Sequence, residues 1–147
     1  MFANLLNRGK DAVAKFAKDP NLLEALCAGC TLVASADGEF SDAEFNASLD
    51  HIRSNAMVQQ AGFTASDIGR VMDKMSERAK RGRSGRAELY QELEDISSKP
   101  ELADAAVFII LDVADHGGID DKERTVLTEI GKRLCKSEMM KKELASA

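Results

Sequence analysis

"NLLEALCAGCTLVASADGEFSDAEF", residues 21–45, decides how this chain folds. Its first part, from Leu22 to Ala36, is small and apolar almost all round. A helix without a polar face belongs at the centre of a structure. Gly38 stands where that helix stops, because glycine takes left-handed backbone angles without steric cost. Ser41 to Glu44 then spells Ser-x-x-Glu, the reciprocal capping box that opens a helix. That helix is predicted to reach about Asn55, with Phe45, Leu49 and Ile52 inward. Just upstream, Asp19-Pro20-Asn21 breaks one helix and starts the next, since proline is tolerated in a first turn.

The same plan recurs in "ADAAVFIILDVADHGGIDDKERTVLTEI", residues 103–130. Aligned on the capping glutamates, Glu44 pairs with Glu123, Asp42 with Asp121, Ser41 with Asp120, Phe40 with Ile119 and Gly38 with Gly117. Similarity at a fixed offset suggests duplicated units that pack on one another, here about 22–55 and 101–135. Two copies give a pseudo-symmetric bundle with the two buried helices at its centre. The second turn departs from the first. Read without a gap, His116 falls in the place of Asp37. One inserted residue instead matches Ala114-Asp115 to Ala36-Asp37, and this alignment is preferred because it keeps the Ala-Asp pair.

Outward from these units the chain continues to read as helix. Residues 2–18 carry Phe2, Leu5, Leu6, Val13 and Phe16 on one stripe, Thr64 to Asp67 opens a segment through Ile68, Val71, Met72 and Met75, and 86–97 forms another. The run 81–86, Arg-Gly-Arg-Ser-Gly-Arg, is expected to be a loop or hinge. "SSKPE" resets the chain before 101–115, and a short charged helix closes it. Helix formers are frequent, there are two prolines in 147 residues, and no alternating stretch has strand length. The expectation is one all-α domain, a compact bundle of seven to eight helices.

Composition narrows the function classes. A hydrophobic content of 44% with 31% charged residues describes a globular chain. The net charge of -5 argues against nucleic acid as the main partner. No apolar run approaches the roughly 20 residues of a membrane span, and the N-terminus lacks the apolar core and cleavage site of a secretory signal. Three cysteines cannot all pair, so a reduced, cytoplasmic state is expected.

The acidic turns are the candidate site. A hard cation such as Ca²⁺ takes roughly six to eight oxygen ligands. The first turn offers Asp37, Glu39, Asp42 and Glu44, with carbonyls at a helix end; the second offers Asp115, Asp120, Asp121 and Glu123. The first does not follow the EF-hand pattern: counting from Asp37, Asp42 stands where the glycine belongs and Ser48 where the bidentate glutamate belongs. The competing reading is structural. Ser41 and Asp120 are ordinary N-caps, Glu44 and Glu123 complete capping boxes, and Asp42 and Asp121 suit the positive end of a helix. Asp37 and Glu39 are the informative residues, because no cap requires them. Asp112, inside an apolar run, is a weaker candidate whose alternative is a buried hydrogen bond or ion pair.

With these residues in view, "VASADGEFSDAE" resembles the signature of the TerB family of tellurite-resistance proteins. "DVADHGGIDDKERTVLTEI" is similar to that family's second copy. The likeness covers about residues 20–135. It implies an all-helical cytoplasmic domain with an acidic face, resistance to tellurite and other stresses, and binding of a divalent metal ion. It also implies work alongside other tellurite-resistance and stress-response proteins, some of them membrane-integrated, at the inner membrane face.

Other features carry less. Cys27-x-x-Cys30 sits inside a small-residue helix with no strand before it and no second metal-ligand pair, so both cysteines read as core, as does Cys135. His51 reads as a surface or boundary residue, and His116 as a turn residue or a ligand. No nucleophile–base pair and no phosphate-binding loop is present, which argues against an enzyme and against an organic cofactor. Arg78, Lys80, Arg81, Arg83 and Arg86 form the most basic stretch, either a docking patch for an acidic partner or a solvated helix end. The N-terminal helix, with Arg8, Lys10, Lys15 and Lys18 beside its apolar residues, reads as packed on the bundle rather than laid on a membrane. The functional expectation is a non-enzymatic, metal-responsive interaction module. A purely protein-binding scaffold with acidic helix caps is the alternative.

Overall fold

In the computed structural model the described residues are 3–146, with side chains from residue 7 onward. Phe2 and the side chains of Leu5 and Leu6 therefore lie outside the described region.

Two helices that are apolar on nearly every side build the centre. α2 (Pro20–Ala34) and α7 (Pro100–Ala114) are both 15 residues long, both begin on proline, and pack against each other. Leu22, Leu26, Cys27, Ala28 and Leu32 of α2 are fully buried, as are Ala106, Val107, Ile109, Ile110 and Leu111 of α7. Gly29 sets how closely they meet: a Cβ there would stand 2.3 Å from Ile110 Cδ1. Around the pair lie α1 (Ala3–Ala14) against α7, α3 (Asp42–Ser54) against α2, and α5 (Ala65–Ala79) and α6 (Gly82–Glu94) against α2. α8 (Asp121–Arg133) touches α2, α6 and α7, and α9 (Ser137–Ala145) packs on α8. All regular structure among the described residues is helical.

The starts of these helices follow the expected cap chemistry. Asp19 Oδ1 accepts from the N–H groups of Asn21 and Leu22 at the head of α2. At α3, Ser41 Oγ accepts from Glu44 N–H at 3.1 Å while Glu44 Oε1 accepts from Ser41 N–H at 2.9 Å. At α8 the same pair of bonds joins Asp120 and Glu123, at 2.8 and 2.9 Å. Thr64 caps α5 through Asp67 N–H.

Several expectations are corrected. A short helix, α4 (Ala56–Gln60), lies between α3 and α5, bringing the described helices to nine. It has too few turns to show periodicity. Its start is fixed by Asn55, whose Oδ1 accepts from Met57 and Val58 N–H while its Nδ2 donates to Asp112 Oδ2 at 2.6 Å. Asp112 thus has the buried-side hydrogen bond that competed with a metal role.

The run 81–86 is not an open loop. α6 already begins at Gly82, and Gly85 lies so close to the end of α5 that a Cβ would stand 1.7 Å from the Arg78 carbonyl oxygen. Glycine is used there for contact rather than for flexibility. Cys135 is exposed rather than core. It stands just past α8 with φ of 58°, and the bonds Cys135 N–H to Lys132 O and Lys136 N–H to Gly131 O complete a Schellman turn in which glycine would ordinarily stand.

The two acidic turns also differ from the preferred alignment. The buried helices end at Ala34 and Ala114, the next ones begin at Asp42 and Asp121, so the second connection is one residue shorter. Asp115 takes the C-cap place of Ser35, with φ, ψ of -79°, 15° against -99°, 18°. His116, counted back from the capping box, stands where Asp37 stands.

Two stability changes of opposite sign are expected in chemical denaturation. Gly29→Ala forces α2 and α7 apart and lowers stability by about 1–3 kcal/mol. Cys135→Gly relieves a left-handed residue and raises stability by roughly 0.5–1 kcal/mol, after the extra freedom glycine brings to the unfolded chain.

Candidate functional site

The two capping-box glutamates, Glu44 at the head of α3 and Glu123 at the head of α8, meet at one cleft together with His116 of the second acidic turn. α2 and α7 form its apolar floor through Cys30, Val33, Ile110 and Val113, and it encloses about 210 Å³. Glu44 and His51 of α3 line it, together with His116 of the second turn and Glu123 of α8. Glu44, Ser48 and His51 share one face of α3, since residues four and seven positions apart align along a helix. Each glutamate is held by its capping box through Oε1, which leaves its second carboxylate oxygen outside those bonds.

His51 and His116 stack across the cleft. Their ring centroids are 3.9 Å apart and the planes differ by 2°. His51 is half-buried on a rigid helix; His116 is exposed, followed by Gly117 and Gly118 at φ of 81° and 99°. Burial and the neighbouring His116 lower the pKa of His51 below its ordinary value, partly offset by Asp50. The neutral imidazole, which keeps a lone pair, is therefore the favoured form.

The remaining acidic residues take local roles or face solvent. Asp37 Oδ1 accepts from Glu39 N–H at 3.1 Å, a turn-forming bond that gives Asp37 a structural use. Glu39, Asp42, Asp120 and Asp121 are exposed, while Asp115 is half-buried. Among the described residues no three His, Cys, Asp or Glu side chains converge as metal ligands. The negative charge in the cleft lining thus comes from Glu44 and Glu123, and the carboxylates of the turns themselves lie outside that lining.

Cys30 in the cleft floor is buried, and burial pushes its thiol up to about 12; Cys27 is raised for the same reason. Both are inert core thiols.

The basic stretch is largely neutralised. Arg78 pairs with Glu92 at 2.7 Å, Arg81 with Glu88 at 2.8 Å and Lys80 with Glu77 at 4.0 Å. Arg86 donates to Ser35 O at 3.1 Å, closing the carbonyl end of α2 beside the first acidic turn. Arg83 is exposed.

Sequence reasoning set the two histidines apart. The available signals were the stripe Glu44–Ser48–His51 and the gap-free alignment that puts His116 in the place of Asp37. Neither reveals that the rings meet.

With a thiol reagent at about pH 8, native protein is expected to label at Cys135 alone, and unfolded protein at all three cysteines, as read by intact mass. Labelling of Cys27 or Cys30 without unfolding would show that the α2–α7 core opens.

No protein-family model matches this chain, and comparison with curated proteins and with solved structures gives no significant match.

Proposed function

We propose that the protein is a non-enzymatic interaction module of chemical-stress resistance, of the TerB kind, which offers its two acidic turns as a single anionic surface. The observation that carries this reading is the placement of both capping-box glutamates, Glu44 and Glu123, at one cleft. Two fixed carboxylates at one cleft create a negative potential that attracts a divalent cation, Ca²⁺ above others, or a basic group on a partner. The exposed carboxylates Glu39, Asp42 and Asp121 extend the charge onto the surrounding surface. Partners are other stress-response proteins, membrane-associated ones included. Among the described residues no helix is long and apolar enough to cross a membrane.

A second reading has its own support. The capping boxes and the Asp37 turn already occupy one oxygen each of Asp37, Glu44, Asp120 and Glu123. The turns then act as helix caps on a protein-binding scaffold whose charge alone selects basic partners.

Thermal unfolding of chelator-treated protein separates the two. A cation that binds only the folded state at 100 times its Kd adds roughly 2.7 kcal/mol. A clear upward shift in Tm with Ca²⁺, Mg²⁺ or Mn²⁺, lost in Asp37→Asn with Glu39→Gln, supports the cation-binding form. No shift with any of these ions removes that form and leaves the scaffold, to be sought through salt-sensitive capture of basic partners.

A further inference from the structure

The histidine pair is unexplained by either form of the acidic-turn reading, because oxygen-seeking cations have no use for imidazole. Two rings stacked at 3.9 Å repel one another once both are charged, so the stack persists only while at least one ring is neutral. The pair does not belong to the repeated plan either: at the offset of the capping boxes, the position of His51 is occupied by Ile130. The two imidazoles of the chain nevertheless meet at the mouth of the cleft, one from α3 and one from the second turn.

We propose that His51 and His116 form a two-imidazole binding site for a borderline transition-metal ion, Zn²⁺, Ni²⁺ or Cu²⁺, with water completing the coordination. Imidazole nitrogen favours these ions over Ca²⁺ and Mg²⁺, and affinity rises towards Cu²⁺ along the first transition series. Only the neutral ring binds, and burial with the neighbouring ring already favours that form of His51.

In the stack the in-plane lone pairs run side by side and do not converge. One ring has to turn out of the stack to share an ion, and His116 is suited to do so. It is exposed, and the two glycines that follow already sit at positive φ, so the backbone there accepts conformations closed to other residues. His51, on α3, stays as the fixed ligand. Glu44 and Glu123 border the same cleft, and their charge offsets that of the incoming ion. Cys30 does not compete, since its thiol is buried and strongly protonated.

The test is calorimetric titration of untagged, chelator-stripped protein with Zn²⁺ and with Ni²⁺, in a Cys135→Ser background that removes the exposed thiol. One ion per chain is expected. Either His51→Gln or His116→Gln should weaken binding by about tenfold or more, equivalent to ~1.4 kcal/mol, because each removes half of the chelate. Nitrogen-15 spectra of the rings should show both imidazoles responding to Zn²⁺ together. The proposal is overturned by an absence of binding below about 100 µM, some 5.5 kcal/mol, or by single variants that bind as the parent does, which would place the ion on surface carboxylates. It is independent of the acidic-turn reading. A Ca²⁺ response lost in Asp37→Asn with Glu39→Gln but kept in His51→Gln reports on the turns, and the Zn²⁺ response of the histidine variants reports on the pair.

Discussion

The contact between α2 and α7 at Gly29 and Ile110 is the constraint on which the rest depends. Helices that bury every side need neighbours on every side, and the remaining helices are arranged to supply them. The close approach also aligns the two C-terminal ends, Ala34 and Ala114, so the connections that leave them emerge beside one cleft. The placement of charge at that cleft is therefore a consequence of apolar packing directly beneath it, where Ile110 belongs both to the contact and to the cleft floor. The carboxylates are held by hydrogen bonds to helix starts, whose direction is in turn set by the central pair.

Much of this was legible in the amino-acid order. Capping boxes, the proline starts and the apolar helices are local patterns, and local patterns survive into the structure when tertiary packing agrees with them. The hidden features each depend on a contact at long sequence separation. α4 has too few residues for a stripe and is held by Asn55, which is oriented by Asp112 from α7. The glycines of 81–86 read as breakers because sequence shows absence of a side chain but not the carbonyl that fills the space. Cys135 reads as core because cysteine is usually buried, whereas a Schellman turn holds it outside. The histidine stack joins two units whose internal patterns contain no reference to each other.

The polar links outside the cleft serve the same arrangement. Glu143 of α9 is buried and pairs with Arg8 of α1 at 2.7 Å, and the Arg8 guanidinium lies 5.6 Å from the Phe108 ring of α7. Arg133 of α8 pairs with Glu129 and covers the Tyr90 ring of α6 at 4.6 Å. The Arg8–Glu143 pair joins α1 to α9, and Arg133 joins α8 to α6 through Glu94 and the Tyr90 ring. Removing Arg8 would take this partner from the buried Glu143 carboxylate, a costlier change than removing Glu143 from the half-exposed Arg8.

The missing residue in the second connection has an effect beyond alignment. The helices that follow the turns already contribute unequally to the cleft, with Glu44, Ala47, Ser48 and His51 from α3 against Glu123 from α8, and the turns add to that difference. With Ser35 on one side and Asp115 on the other, and with Asp37 answered by His116, the two ends differ in charge and donor chemistry. The cleft has a head and a tail, and anything seated in it is read in one direction.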